Sequence, residues 1–195
     1  MVNLDELNGR EVPKTWDDIL SPEFEDSVAV PMGDLDLFNA LVVNLYKEYG
    51  MDGITRLARS YKKSLHPAQM VKAKSKGKSE NPAVSIIPYF FTQMIQGNNQ
   101  VAVWPEDGAV ISPIFMIAKK DKKEKTQPII DFFMSESVGK VFSANGKFPS
   151  TNKLVDNGLS PDQKFKWVGW DFIEKTDIGA LLRDLEAKFN EDILK

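Results

Sequence analysis

The sequence contains no cysteine and only one histidine. The lack of cysteine excludes disulfide bonds, thiolate metal sites and cysteine nucleophiles. A Ser-His-Asp triad would have to use His66, and neither the G-x-S-x-G nucleophile motif nor the H-E-x-x-H zinc motif occurs. These absences argue against the common hydrolase chemistries.

Long apolar runs are also lacking, because the apolar stretches are short and interrupted by proline. A membrane-spanning helix needs about 20 predominantly apolar residues, so we expect no transmembrane segment. The first six residues have neither a basic start nor an apolar run. We therefore expect no signal peptide within this chain.

Charge is not strongly of one sign, since the net charge is −3 over 195 residues. This balance gives no electrostatic reason to expect nucleic acid as a partner. Lysines alternate through VKAKSKGKSENP (71–82), but without interleaved aromatics, so we predict a solvated surface loop there. Gly77-Lys78-Ser79 is similar to the end of a phosphate-binding loop, but Lys72 stands where that motif requires glycine.

Strand and helix signals alternate along the chain, which predicts an α/β fold with a mixed sheet flanked by helices. Strands are expected at 28–31, 84–87, 101–104 and 109–119, and helices at 34–50, 51–63, 67–71, 89–95, 127–145 (two, broken near Ser135) and 176–194. Asp34 is a plausible N-cap, Gly50 a plausible helix end and Pro67 a plausible first helical residue.

The most informative stretch is 101–150. A strand leads into the corner Pro105-Glu106-Asp107-Gly108, a second strand follows, and two helices then carry the motif IIDFFMS at 129–135 with Gly139 four residues on. Upstream, PKTWDDIL at 13–20 precedes a Ser-Pro-Glu-Phe turn. This order resembles the extracytoplasmic solute-binding proteins of ABC importers, in the ferric-iron-type branch of the type 2 periplasmic-binding fold.

The resemblance implies a periplasmic-binding-protein-like lobe without its N-terminal lobe. It divides the chain into a second-lobe α/β segment (1–107), the returning strand and helices of the interlobe crossover (108–150), and an irregular segment with a docking helix (151–195). It also implies a small-molecule solute, an ABC permease as partner, an extracytoplasmic location for the full-length parent, and apolar surface left exposed around 109–116 and 129–133.

The first candidate for a ligand-binding segment is the turn after the first strand. In iron-type relatives this turn offers backbone N–H groups to an anion, but here it carries Asp34 and Asp36. Either these aspartates only cap the helix and complement its dipole, or one of them faces a cationic group of the ligand.

Tyr89 and His66 are the next candidates. Ferric-binding relatives carry adjacent tyrosines near this position, because phenolates suit Fe(III), but here Tyr89 is followed by Phe90 and Phe91. Tyr89 either lines the cleft or packs with its hydroxyl at the surface. His66 precedes a probable helix and is either a ligand contact or a structural residue.

Trp104 and Glu106 flank the crossover, where they could stack on and pair with a cation. Alternatively, Trp104 fills the core and Glu106-Asp107 form an exposed turn. The hypothesis is a binding protein without catalytic turnover, cofactor or resident metal, which takes a cationic or zwitterionic organic solute in preference to ferric iron. Two alternatives stay open: a hydrolase-like enzyme on the same fold, and a self-associating domain in which a second copy replaces the missing lobe.

Overall fold

A mixed five-stranded sheet organises the first part of the chain, in the order β3-β2-β4-β1-β5. Its strands are β1 (Val2–Asn3), β2 (Val28–Val30), β3 (Tyr61–Ser64), β4 (Val84–Ser85) and β5 (Gln100–Val101). β2 pairs in parallel with β3 and β4, whereas β1 lies antiparallel between β4 and β5. Four strands therefore run in one direction and only β1 opposes them, which confirms the predicted α/β class.

This computed structural model describes residues 1–71, 81–95 and 98–195. The surface loop predicted at 71–82 lies largely outside the described residues. The chain forms two compact units, one built from Met1–Ser112 and Asp162–Lys195 and the other from Pro113–Pro161. The division into 1–107, 108–150 and 151–195 that the resemblance implies stays a prediction.

Seven α-helices occur in the described part of the chain: α1 (Trp16–Ile19), α2 (Leu35–Ser60), α3 (Pro67–Met70), α4 (Lys123–Phe133), α5 (Glu136–Gly146), α6 (Trp170–Lys175) and α7 (Ile178–Asp192). Within α2, Gly50 has φ 65° and ψ −156°, so the helix consists of two segments that meet at the predicted break. The helix predicted up to residue 63 is wrong at its end, because Tyr61–Ser64 pair with β2 as a strand. Sheet pairing there overrides the local helical pattern.

The core of the first unit lies where α7 packs on α2 and on the sheet. Leu45, Leu185 and Phe189 are completely buried. The Phe189 ring makes edge contacts with Phe38 at 5.3 Å and with Tyr61 at 5.6 Å between ring centroids. The amphipathic C-terminal helix predicted from the sequence is thus confirmed, and it fixes the kinked α2 against the sheet.

A separate two-stranded parallel ribbon joins β6 (Ala109–Val110) to β7 (Phe165–Lys166). The strand predicted from 109 to 119 is wrong beyond Val110, where the chain has no regular structure. Pro113 lacks the N–H group that continued pairing would need.

The second unit consists mainly of α4 and α5. They are separated at Ser135, whose Oγ accepts the Val138 N–H bond at 3.4 Å, which confirms the predicted break. Many large apolar side chains of this unit are exposed: Ile114, Phe115, Met116, Ile117, Ile129, Phe132, Phe133, Met134, Val141, Phe142 and Leu154. The exposure expected at 114–116 and at 129, 132 and 133 is confirmed, whereas Ala109 and Val110 are half-buried. Within the described ranges, no helix is long and apolar enough to cross a membrane.

Asp192 at the end of α7 yields a prediction about acid stability. Its side chain is only 5% exposed, and hydrogen bonds from Lys188, Lys195 and Thr55 lower the pKa of its carboxyl group below the ordinary value. Because this pKa is lower in the folded state, the carboxylate stabilises the fold above about pH 4 and this contribution is lost as the pH falls further. Asp192→Asn should therefore lower the free energy of unfolding in urea by a constant amount near neutral pH. Below about pH 4 the difference between the variant and the wild type should become smaller.

Asp184 is exposed on the same helix, so Asp184→Asn is the matched control and should change the free energy of unfolding little at any pH. An Asp192→Asn effect of the same size at pH 3 and pH 7 would contradict this account.

Candidate functional site

The four strands that run in the same direction end at one edge of the sheet. β2 leads to Asp34, β3 to His66, β4 to Tyr89 and β5 to Trp104. Carboxyl ends of co-directional strands, followed by helix N-termini, form the usual ligand-binding edge of an α/β sheet. The topology therefore brings four of the six predicted site residues to one edge, and Asp36 and Glu106 follow closely in the chain.

Asp34 and Asp36 lie at the start of α2. Asp34 is its N-cap, and one carboxylate oxygen accepts the Leu37 N–H bond at 3.4 Å. Asp36 is exposed in the first turn, where a negative charge complements the helix dipole. Both carboxylates thus have a structural role, and a carboxylate can accept further hydrogen bonds beyond a single cap.

His66 is exposed and is the N-cap of α3. Its Nδ1 accepts the Ala68 N–H bond at 3.2 Å, while its own backbone N–H donates to Gln69 Oε1 at 3.2 Å. In the neutral ring the proton is therefore on Nε2. The ring also meets Phe91 edge-on at 6.3 Å, so capping and packing both hold this side chain at the edge.

Tyr89, Trp104 and Phe165 form a row of perpendicular rings. The centroid distances are 5.1 Å between Tyr89 and Trp104 and 5.4 Å between Trp104 and Phe165. The Trp104 indole N–H donates to the Lys164 carbonyl at 2.7 Å. Trp104 and Tyr89 are half-buried, whereas Phe165 is 48% exposed. We call these three residues the aromatic row.

Sequence reasoning missed Phe165, which lies 61 positions after Trp104. A signal for it is the aromatic-rich segment FKWVGW at 165–170, which alternates large rings with smaller residues and was not assigned to the site.

Glu106 and Asp107 occupy different positions in the corner after Trp104. Glu106 is exposed, and only its backbone is anchored, by an N–H bond to the Lys14 carbonyl at 2.8 Å. Asp107 turns inward, where its carboxylate accepts the Trp16 N–H bond at 3.2 Å and a bond from Lys166 Nζ at 3.1 Å. Glu106 is therefore the more exposed carboxylate of this corner.

A polar pocket lies at the opposite, amino edge of the parallel strands. Its volume of about 160 Å³ is below the 300–1,000 Å³ that is typical of small-molecule sites. Its cations are engaged within the protein: Arg10 donates to the Leu7 and Glu6 carbonyls and to Ser27 Oγ, and Lys62 pairs with Asp26. This pocket is a structural feature at the sheet's amino edge, and the carboxyl edge is the candidate site.

A family model described as "Bacterial extracellular solute-binding protein" matches residues 1–176. The chain belongs to this family. The predicted solute-binding-protein resemblance is thereby confirmed, while the ferric-iron branch and the lack of an N-terminal lobe stay predictions.

A solved structure shares the fold. "Structure of the periplasmic binding protein P5PA" superimposes with a TM-score of 0.59 at 18% sequence identity, and the match covers 98% of this chain and 65% of that one. The present chain thus spans just under two thirds of that protein. This likeness confirms the periplasmic-binding-protein-like fold. Comparison with curated proteins gives no match.

Substitutions at Asp34 separate its capping role from a role of its charge. Asparagine caps helices about as well as aspartate, whereas alanine at an N-cap costs about 1 kcal/mol. In urea unfolding, Asp34→Ala should lower the free energy of unfolding by about that amount, and Asp34→Asn should leave it nearly unchanged. Asp36→Asn is the control for charge alone. An equal loss in Asp34→Ala and Asp34→Asn would contradict the capping assignment.

Proposed function

We propose that this chain is part of the solute-binding component of an ABC-type importer, which captures a small organic solute by lobe closure and delivers it to the permease. The observation that carries the proposal is the convergence of Asp34, His66, Tyr89 and Trp104 on the carboxyl edge of the sheet in a chain of this family. We also propose an extracytoplasmic location for the full-length protein, which the same family membership supports.

The chemistry of the edge favours a cationic or zwitterionic organic solute. Asp34, Asp36 and Glu106 supply negative charge, and Tyr89 and Trp104 supply aromatic rings that can attract a cation. An anion would instead meet like charge, at a cost on the order of 1 kcal/mol for a pair about 4 Å apart in water and more where the cleft is desolvated.

Ferric iron fits this edge less well. The tyrosine pair of iron-binding relatives is replaced by Tyr89 and Phe90, and a phenyl ring cannot coordinate a metal. Among the residues that the structure describes, no group of three His, Cys, Asp or Glu side chains is arranged to hold a metal ion. His66, the histidine that a triad would need, is engaged as a helix cap, so we propose binding without catalytic turnover.

The second unit, taken by itself, exposes large apolar side chains. In the second unit, Ile114, Phe115, Ile117 and Leu154 are each at least 70% exposed, and large contiguous apolar surfaces are rarely left in water. We propose that another lobe of the same protein covers them, with a second copy of the chain as the alternative. A solute held between two lobes makes only part of its contacts with either lobe, so we expect this chain alone to bind solute weakly.

The solute class can be tested on the chain itself with three probes: tetramethylammonium as cation, glycine betaine as zwitterion and phosphate as anion. Ligand-observed NMR at millimolar concentration detects weak binding. We expect line broadening of the first two probes that Asp34→Asn and Asp36→Asn reduce, with little effect on phosphate. Asp184→Asn is the distant charge control. Preferential binding of phosphate or ferric citrate would contradict the proposed solute class.

A further inference from the structure

The aromatic row is built on the β6–β7 ribbon as well as on the sheet edge. The Lys164 carbonyl accepts two bonds, from the Ala109 N–H at 3.0 Å and from the Trp104 indole N–H at 2.7 Å. The next residue, Phe165, pairs with Ala109 in the ribbon and meets the Trp104 ring. The position of Trp104 therefore depends on where the ribbon lies.

An ion-pair cluster fixes that ribbon to the rest of the first unit. Lys166 of β7 bonds both Asp107 and Glu48 of α2, and its side chain is only 12% exposed. Asp107 in turn accepts the backbone N–H of Trp16 at the start of α1. The Asp107 carboxylate thus connects the corner to the ribbon and to α1. The Lys166 ammonium group connects the ribbon to α2 through Glu48.

Close backbone packing leaves this corner little freedom. Gly108 has φ 111°, and a Cβ atom there would lie 2.9 Å from the Phe165 carbonyl carbon. The Gly108 carbonyl also accepts the Trp16 indole N–H bond at 2.8 Å. The chain enters the second unit after Ser112 and returns at Asp162, so both connections leave from the two strands of this ribbon.

We propose that Phe165 is a third aromatic contact of the solute, and that Asp107 is the positioning residue that holds Phe165 and Trp104 in place. The contact of Phe165 with solute rests on the proposed function. The positioning role of Asp107 rests only on the geometry of the first unit.

The adjacent carboxylate provides a matched comparison for Asp107. Glu106 is one residue away, has the same charge and is exposed, whereas the Asp107 side chain is 25% exposed and bonds Trp16 and Lys166. Asp107→Asn and Glu106→Gln remove the same charge from the same corner, but only the first weakens the connection to the ribbon.

The positioning role is tested by ¹⁹F NMR of the free chain labelled with 5-fluorotryptophan. The four tryptophans give four signals, and Trp104→Phe assigns the signal of interest. Asp107→Asn should shift and broaden the Trp104 and Trp16 signals, while the signal of the exposed Trp170 should stay unchanged. Glu106→Gln should move the Trp104 signal much less. Equal effects of the two variants, or no effect of either, would overturn the positioning role.

Phe165→Leu provides a second test that does not depend on Asp107, and the 48% exposure of Phe165 favours retention of the fold. Loss of the ring current should move the Trp104 signal, and a Trp104 signal that stays in place would show that the two rings are not in contact.

The solute contact is tested by titrating the same labelled variants with tetramethylammonium. Loss of one aromatic contact should weaken binding about 2- to 30-fold in Phe165→Leu, and Asp107→Asn should weaken it as well. An unchanged affinity of Phe165→Leu for tetramethylammonium would contradict the proposed contact between Phe165 and the solute. If the wild-type chain responds to neither tetramethylammonium nor glycine betaine, the proposed solute class and the Phe165 contact are both wrong, while the ¹⁹F spectra of the free variants still decide the positioning role.

Discussion

The common direction of β2, β3, β4 and β5 is the constraint on which the candidate site depends. β1 lies between β4 and β5 and is antiparallel to both. β5 therefore runs in the same direction as β4. The carboxyl ends of all four strands therefore lie at the same edge of the sheet. Packing of Phe189 against Phe38 and Tyr61 connects α7 to the start of α2 and to β3, which holds the helix carrying Asp34 against the sheet.

The capping residues at this edge have structural roles that are compatible with the proposed binding of solute. Asp34 caps α2 with a carboxylate that can accept further hydrogen bonds, whereas His66 caps α3 through Nδ1, so that Nε2 is the ring nitrogen that could face a ligand. A cap holds its side chain in one orientation before any ligand arrives, which reduces the entropy lost on binding. Capping and solute recognition are therefore compatible at this edge, and substitutions that preserve the cap are needed to separate them.

Local signals in the sequence predicted much of the fold. The cap at Asp34, the break at Gly50, the first helical residue Pro67 and the break at Ser135 all depend on neighbouring residues. The local pattern predicts helix for the residues of β3, because their extended form depends on pairing with β2, which lies about 30 residues earlier. Long-range pairing of this kind leaves no mark in the local pattern.

Only part of the candidate site can be predicted from local signals in the sequence. Asp34, His66, Tyr89 and Trp104 follow strands and could be found from strand and turn signals. For Phe165 the sequence offers only an aromatic-rich segment, and for Asp107 it offers a position in a turn. The proposed roles of both depend on contacts with residues 91 and 61 positions away, Trp16 for Asp107 and Trp104 for Phe165. The sequence also favoured Glu106 of the two neighbouring carboxylates, and only the fold shows that Asp107 turns inward.

The central claim is that solute meets this chain at the carboxyl edge of the sheet. Mapping of backbone ¹H–¹⁵N NMR shifts during titration with glycine betaine tests it most directly. We expect the largest changes to cluster after the four co-directional strands, at Asp34, His66, Tyr89 and Trp104. Changes concentrated instead around Glu6, Arg10 and Lys62, at the opposite edge, would contradict it.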